Sequence, residues 1–184
     1  EFRRVLFRSG ASWLSLTALF PEGESHDAPH PTVLKTGAAR LYYLARELAP
    51  AGTPPPVLLP VALHYDRKES FRSSALVVFH PPIALGPELD RTPADDEPEA
   101  SRQERCQALT DEISRVLHDA VHATKDWQLH QDLHRARSIV EAERAVERGL
   151  DVPEALSERT RMFRAIRDGY YARVQTHPKQ VGRL

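Results

Sequence analysis

A chain of 184 residues with 41% apolar side chains carries enough hydrocarbon for one ordinary domain and a helical appendage. Its formal charge of −1, without a dense Lys/Arg block, excludes a protein held to nucleic acid mainly by phosphate neutralisation. A single cysteine, Cys106, excludes a disulfide framework and makes a reducing compartment the simplest assignment.

No apolar run approaches the roughly eighteen residues of a bilayer span, and the N-terminus lacks the long apolar core and small-residue cleavage site of a signal peptide. The opening "EFRRVLFRS" runs without caps or turn signals into an apolar segment. Back-translated as GAG TTC AGA CGT GTG CTC TTC CGA TCT, it reproduces a widely used sequencing-adapter end. Residues 1–9 are therefore expected to be non-native and are set aside. Their removal takes away three arginines and one glutamate and leaves a charge of −3.

From Trp13 to Phe20, "WLSLTALF" is short, apolar and partly alternating, and it stops at Pro21 and Gly23, which predicts a buried strand. After the polar "ESHDAPHP", Ala38, Leu41, Leu44, Ala45 and Leu48 recur at helical spacing. Thr36 is the expected N-cap of that helix and "PAGTPPP" its stop. "VLLPVALHY" and "ALVVFHPPI", over 57–65 and 75–83, are nearly continuous apolar runs and predict two strands buried on both faces. Pro60 removes a ladder hydrogen bond, so a bulge, an edge position or a break is expected there.

"LGPELDRTPADDEPEASRQE" is rich in Pro, Asp and Glu and predicts a linker or long loop. Leu109, Ile113, Val116, Leu117, Ala120 and Val121 then trace a helical stripe. Further helical pattern covers 126–148 and 153–174. The expected organisation is part of a larger domain over 10–86, an acidic Pro-rich linker over 87–104 and a helical region over 105–184. Strand, helix, strand, strand and then helices alone read as an α/β layer followed by an α-helical C-terminal extension. In an open α/β sheet, Phe20-Pro21-Glu22-Gly23 falls at the carboxyl end of a strand, where such sheets bind ligands.

The start of the first helix offers unpaired N–H groups, an unobstructed Gly37 and cations at Lys35 and Arg40. That combination makes a cradle for an anion. Glu22 beside it would repel phosphate, so its carboxylate is expected to accept bonds from substrate hydroxyls or to hold a cation or backbone N–H in place. A polyol phosphate offers both groups. The residues alone leave a plainer alternative open, in which Glu22-Gly23 only turns the chain and Thr36 only caps a helix.

The ordered series "LFPEGESHD", "LKTGAARL" and "LLPVALHYDRKESFRSSALVVFHPPI" resembles the glycerolipid acyltransferases over about residues 16–86, and the tail "AERAVERGLDVPEALSERTRMFRAIRDGYY" is similar to that of one branch of the family. The resemblance implies a partial glycerolipid-acyltransferase sheet-and-helix layer. The activity it implies is transfer of a fatty acyl group from an acyl-CoA or acyl carrier protein thioester to glycerol-3-phosphate or lysophosphatidic acid, with no further cofactor and no metal. The F-P-E-G block carries over onto Phe20, Pro21, Glu22 and Gly23 as the lining of the glycerol-phosphate pocket, with Ser25 and His26 following it. Pro60 matches the proline of the family's fourth block.

Two departures matter. The arginine that commonly follows F-P-E-G is replaced by Glu24-Ser25-His26, so Lys35, Arg40 or Arg72 has to supply the phosphate cation. The F-P-E-G-x-S-H-D form favours glycerol-3-phosphate as acceptor. The family's H-x-x-x-x-D block, whose histidine takes the hydroxyl proton while the aspartate orients it, has no match. His122 has Asp126 one residue too close. A chain whose authentic sequence starts near Gly10 is expected to lack that block and to be inactive alone. The resemblance also implies work at the cytoplasmic face of a membrane, as a peripheral protein or one anchored by sequence ahead of this chain. The rival reading is a non-catalytic phosphate-binding or protein-interaction module on the same scaffold.

His118 with His122, and His130 with His134, have the i, i+4 spacing of zinc-binding pairs, but without H-E-x-x-H and with polar neighbours they read as exposed helix surface. His26 and His30 are loop residues, the first close enough to the F-P-E-G block to line a pocket. Trp127 is expected to pack between helices, and Tyr170-Tyr171 to sit at the edge of a core.

Overall fold

A computed structural model describes residues 3–9, 12–24, 26–50, 52–66, 68–92, 94, 96–149 and 154–178. The chain is mixed α and β, in the order β1 (Arg3–Ser9), β2 (Ser12–Ala18), α1 (Gly37–Glu47), β3 (Val61–Tyr65), β4 (Ala75–Phe79), α2 (Glu99–Ala120), α3 (Trp127–Arg148) and α4 (Leu156–Thr176). It divides into two compact units, one of 1–27, 31–58 and 83–115, the other of 28–30, 59–82 and 116–184.

Among the described residues the strands make two separate antiparallel hairpins, which corrects the expectation of one open sheet. Chain length explains the second hairpin. Residues 66–74 are all that joins β3 to β4, and a parallel pair needs a crossover of a dozen residues or more. In the first hairpin, β1 pairs with β2 from Arg3↔Ala18 to Ser9↔Ser12. The segment set aside as non-native therefore supplies a strand. Val5 and Phe7 suit an extended chain, and an open strand edge accepts any adjacent segment that can extend along it.

In the first unit, α1 follows Thr36 as expected, but its buried face consists of Ala39, Tyr42 and Tyr43. The stripe read from Ala38, Leu41, Leu44, Ala45 and Leu48 is corrected: Leu44 and Leu48 are exposed. Tyrosine wins this face because it buries a large ring and still gives its hydroxyl a partner. Tyr42 Oη donates to Asp90 Oδ1 at 2.8 Å and Tyr43 Oη to the Leu89 carbonyl at 3.1 Å. Arg46 also bonds the Asp90 carboxylate and, at 2.9 Å, its carbonyl. The segment read as a linker is thus tied to α1 at Leu89 and Asp90, and it becomes helix at Glu99.

In the second unit, α3 starts at Asp126, whose Oδ1 accepts from Leu129 N at 2.8 Å, and it ends at Gly149 in the left-handed conformation. Leu129 and Leu133 on α3 close with Phe163 on α4 into a core bordered by Ile166, Tyr170 and Tyr171. Both tyrosines sit at that core's edge, as expected. Arg159 on α4 bonds Asp66 at 2.7 Å, and Arg164 and Arg167 bond Asp119 at the end of α2 at 2.7 and 2.9 Å. The expectation that β3 and β4 are buried on both faces is corrected: of the residues of the two strands, Ala62 alone is fully enclosed. Trp127, expected between helices, is half exposed with its ring edge-on to His130.

Candidate functional site

The F-P-E-G block is a turn whose chemistry its residues dictate. Gly23 N donates to the Phe20 carbonyl at 3.1 Å, Pro21 supplies the fixed φ at the second position, and Gly23 closes the turn at φ +69. The chain returns past this turn, because Lys35 N donates to the Pro21 carbonyl at 2.9 Å. The Lys35 side chain lies across Gly23. A Cβ at that glycine would stand 3.0 Å from Nζ and 3.1 Å from Cδ, which the exposed lysine side chain can yield, so it is the φ of +69 that favours glycine at residue 23.

Glu22 faces inward from the same turn. Its Oε2 accepts from Thr32 N at 2.9 Å and from Thr32 Oγ1 at 3.2 Å, and it also meets Nε2 of His26. Partial burial alone would raise its pKa, but the Thr32 backbone bond and the His26 ring outweigh that and hold the carboxyl below its ordinary 4.5. Of the two roles expected for Glu22, holding a backbone N–H in place is the one its geometry displays. Phe20, expected to line a pocket, is instead 79% exposed, because the turn points it outward. Ser25 lies outside the described residues.

Thr36, Gly37 and Arg40 line a cleft of about 790 Å³ between α1 and the first half of α2, opposite Arg102, Arg105 and Cys106. Thr36 makes no side-chain capping bond, so the first N–H groups of α1 are not satisfied by it. Arg105 is only 7% exposed. It stacks 4.4 Å above the Tyr43 ring and pairs with Glu97 at 2.5 Å, while its Nε and Nη1 have no acceptor among the described residues. Burial raises the Cys106 thiol pKa despite Arg105 and Arg40 nearby, so at neutral pH this sulfur is a protonated thiol and not a nucleophile.

Two expected site residues belong to the second unit. Pro60 is buried and stands just ahead of β3, where its carbonyl accepts from His80 N at 3.0 Å. The break expected at this proline is therefore the start of the strand. Arg72 is an exposed loop residue at φ +60 with its guanidinium 5.4 Å from the Phe71 ring.

The histidines expected on exposed helix surface are corrected in part. His122 follows α2 at φ +56, is buried, and stacks on His64 with centroids 4.8 Å apart. His130 is half-buried and His134 exposed, as expected for the latter, and their rings flank Phe163 at 5.1 and 4.4 Å. Among the described residues no group of three His, Cys, Asp or Glu is arranged to hold a metal ion.

Sequence reading missed Arg105, Glu97 and the Tyr43 ring. The usable signal was a Tyr-Tyr pair inside an amphipathic helix, since two adjacent buried tyrosines call for polar partners from elsewhere in the chain. No family model, no curated protein and no solved structure matches this chain.

Proposed function

We propose that this chain is the acceptor-binding portion of an O-acyltransferase that moves a fatty acyl group from a thioester to the hydroxyl of glycerol-3-phosphate or lysophosphatidic acid. The observation that carries the reading is the junction of the Glu22-Gly23 turn with Lys35, which lays a cation across the backbone of Gly23. Lys35 supplies charge for a phosphate and the uncapped start of α1 supplies N–H groups. Glu22 acts as a positioning residue that fixes the turn through Thr32.

A second reading, a non-catalytic phosphate-binding module, draws on one observation: no histidine in the sequence has an aspartate five positions on. In the enzyme reading that histidine lies on the parent protein and removes the hydroxyl proton as oxygen attacks the thioester carbonyl and the thiol leaves. The coding DNA separates the two. An in-frame H-x-x-x-x-D ahead of Gly10 supports the enzyme, and a start codon near Gly10 supports the module.

The 184-residue chain itself is to be titrated with sn-glycerol 3-phosphate and followed by amide NMR shifts. Weak binding is expected, with shifts at Gly23, Lys35 and Gly37 that vanish in Lys35→Ala and are absent with glycerol. Shifts confined to other residues, or unchanged in Lys35→Ala, would remove the reading. Acyl transfer by this chain alone would show that its base lies within these residues and overturn the assignment of that role elsewhere.

A further inference from the structure

The cleft of about 790 Å³ between α1 and the opening turns of α2 lies wholly within the first unit. Its volume is that of a site for a small organic molecule, since such sites run from about 300 to 1,000 Å³. The start of α1, where Thr36 leaves the first N–H groups uncapped, lines it together with Arg40, and α2 contributes Arg102 and Arg105. The three arginines are not equivalent. Arg102 is committed to the carbonyls of Glu97, at 3.1 Å, and Ala94, at 3.4 Å. Arg40 is an exposed side chain. Arg105 is more than nine-tenths buried. The Tyr43 ring, itself anchored through its hydroxyl to the Leu89 carbonyl, holds the Arg105 guanidinium from one side, and Glu97 holds it at Nη2. Nε and Nη1 keep three N–H groups that no acceptor among the described residues takes up. Buried donors on a charged group are ordinarily satisfied, and leaving them bare is costly.

We propose that Arg105 is a phosphate-binding residue of the acceptor site, sharing the phosphate with Lys35 and the first turn of α1, so that the helical tail forms part of that site. The identity of the ligand rests on the acyltransferase reading; the role of Arg105 rests on the cleft. A phosphate monoester carries three acceptor oxygens and nearly two negative charges, which matches a donor set of guanidinium, ammonium and helix N–H groups better than a carboxylate does. A guanidinium stacked on a fixed ring loses little freedom when it binds. Glu97 offsets its charge through Nη2 and leaves the N–H groups of Nε and Nη1 for another acceptor. Glu47 and Glu99, on the same cleft, repel phosphate and suit the hydroxyl groups of the glycerol.

The test is a titration of the full chain with sn-glycerol 3-phosphate at constant ionic strength, followed by amide shifts and by the Nε–H signal of Arg105. The parent should show saturable shifts at Gly37, Cys106 and the Arg105 side chain, and Arg105→Gln should weaken binding by about tenfold. Glu97→Gln breaks the same ion pair but removes a competing carboxylate, so it should tighten binding by about threefold. A purely structural role for the pair would move both variants in one direction. Should Arg105→Gln fold poorly, Arg105→Lys, which keeps a charge opposite Glu97, should still weaken binding by about threefold because an ammonium lacks the fixed planar donors. Binding lost in Lys35→Ala but unchanged in both Arg105 variants would overturn the inference and leave the acyltransferase reading standing. Equal losses in Arg105→Gln and Glu97→Gln would also overturn it. Binding lost in Arg105→Gln but kept in Lys35→Ala would uphold Arg105 as a phosphate ligand and remove that reading. A parent chain that binds no glycerol phosphate would overturn both.

Discussion

Glu22 concentrates its bonding on one oxygen, and the consequence for the turn can be stated residue by residue. Thr32 donates both its amide and its hydroxyl to Oε2, and the ring of His26 reaches the same atom. Removing the carboxylate leaves a half-buried amide without its acceptor, which costs about 1–3 kcal/mol when water cannot fully replace the bond. Glu22→Ala is therefore expected to lower stability by about 1 kcal/mol, the low end because the site is partly open. The check is the urea midpoint, with faster hydrogen exchange at the Thr32 amide as a local signature. Because the folded pKa lies below 4.5, this contribution is complete above that value and fades as pH falls through the folded pKa. Glu22→Ala should accordingly match the parent more closely in acid than at pH 7. The F-P-E-G turn was legible in the sequence because Pro and Gly dictate it locally. The bond to Thr32 was not, because it joins residues ten apart through a loop with no periodicity to read.

The helices show what periodicity does convey. Asp126 caps α3 through Leu129, a local arrangement in which a short acidic side chain satisfies a backbone donor at the positive end of the helix. Asp126→Ala should destabilise the second unit by about 1 kcal/mol, read as a lower thermal midpoint, whereas Asp126→Asn should retain most of the cap. Helices α2, α3 and α4 lie close to where the helical pattern placed them, with Leu109 and Ile113 on α2, Leu129 and Leu133 on α3 and Met162 and Phe163 on α4 buried. The strands were located but their surroundings were misread. Continuous apolar runs imply cover on two faces, and the β3–β4 hairpin has cover on one. α1 was placed correctly and its face was not, because leucine counts outweighed the two tyrosines whose hydroxyl partners, Asp90 and Leu89, lie more than forty residues away.

At the scale of the molecule, the second unit folds around histidines that must stay uncharged, and this gives it an acid limit. Burial, then the nearby His64, Arg167 and Arg164, pushes His122 down to about 4, against a smaller opposing pull from Asp119. His64 is lowered as well, by burial first and then by His80. The unfolded chain takes up the His122 proton near pH 6.5 and the folded chain does not until about pH 4, so across that interval the unfolded state binds more protons, and the lowered His64 acts in the same direction. Stability is therefore full above pH 6.5, falls as pH drops toward 4, and stops falling on this account below it. Asp119 works in a lower range, because its bonds to Arg167 and Arg164 overcome burial and keep its pKa under the usual 3.8. Urea unfolding measured from pH 7.5 to 4 should show the midpoint decline. His122→Asn, which removes the proton site with a residue tolerant of φ +56, should flatten part of that decline and leave the share of His64, His130 and His134. A His122→Asn profile parallel to that of the parent would mean that the stacked pair does not set the acid sensitivity of this unit.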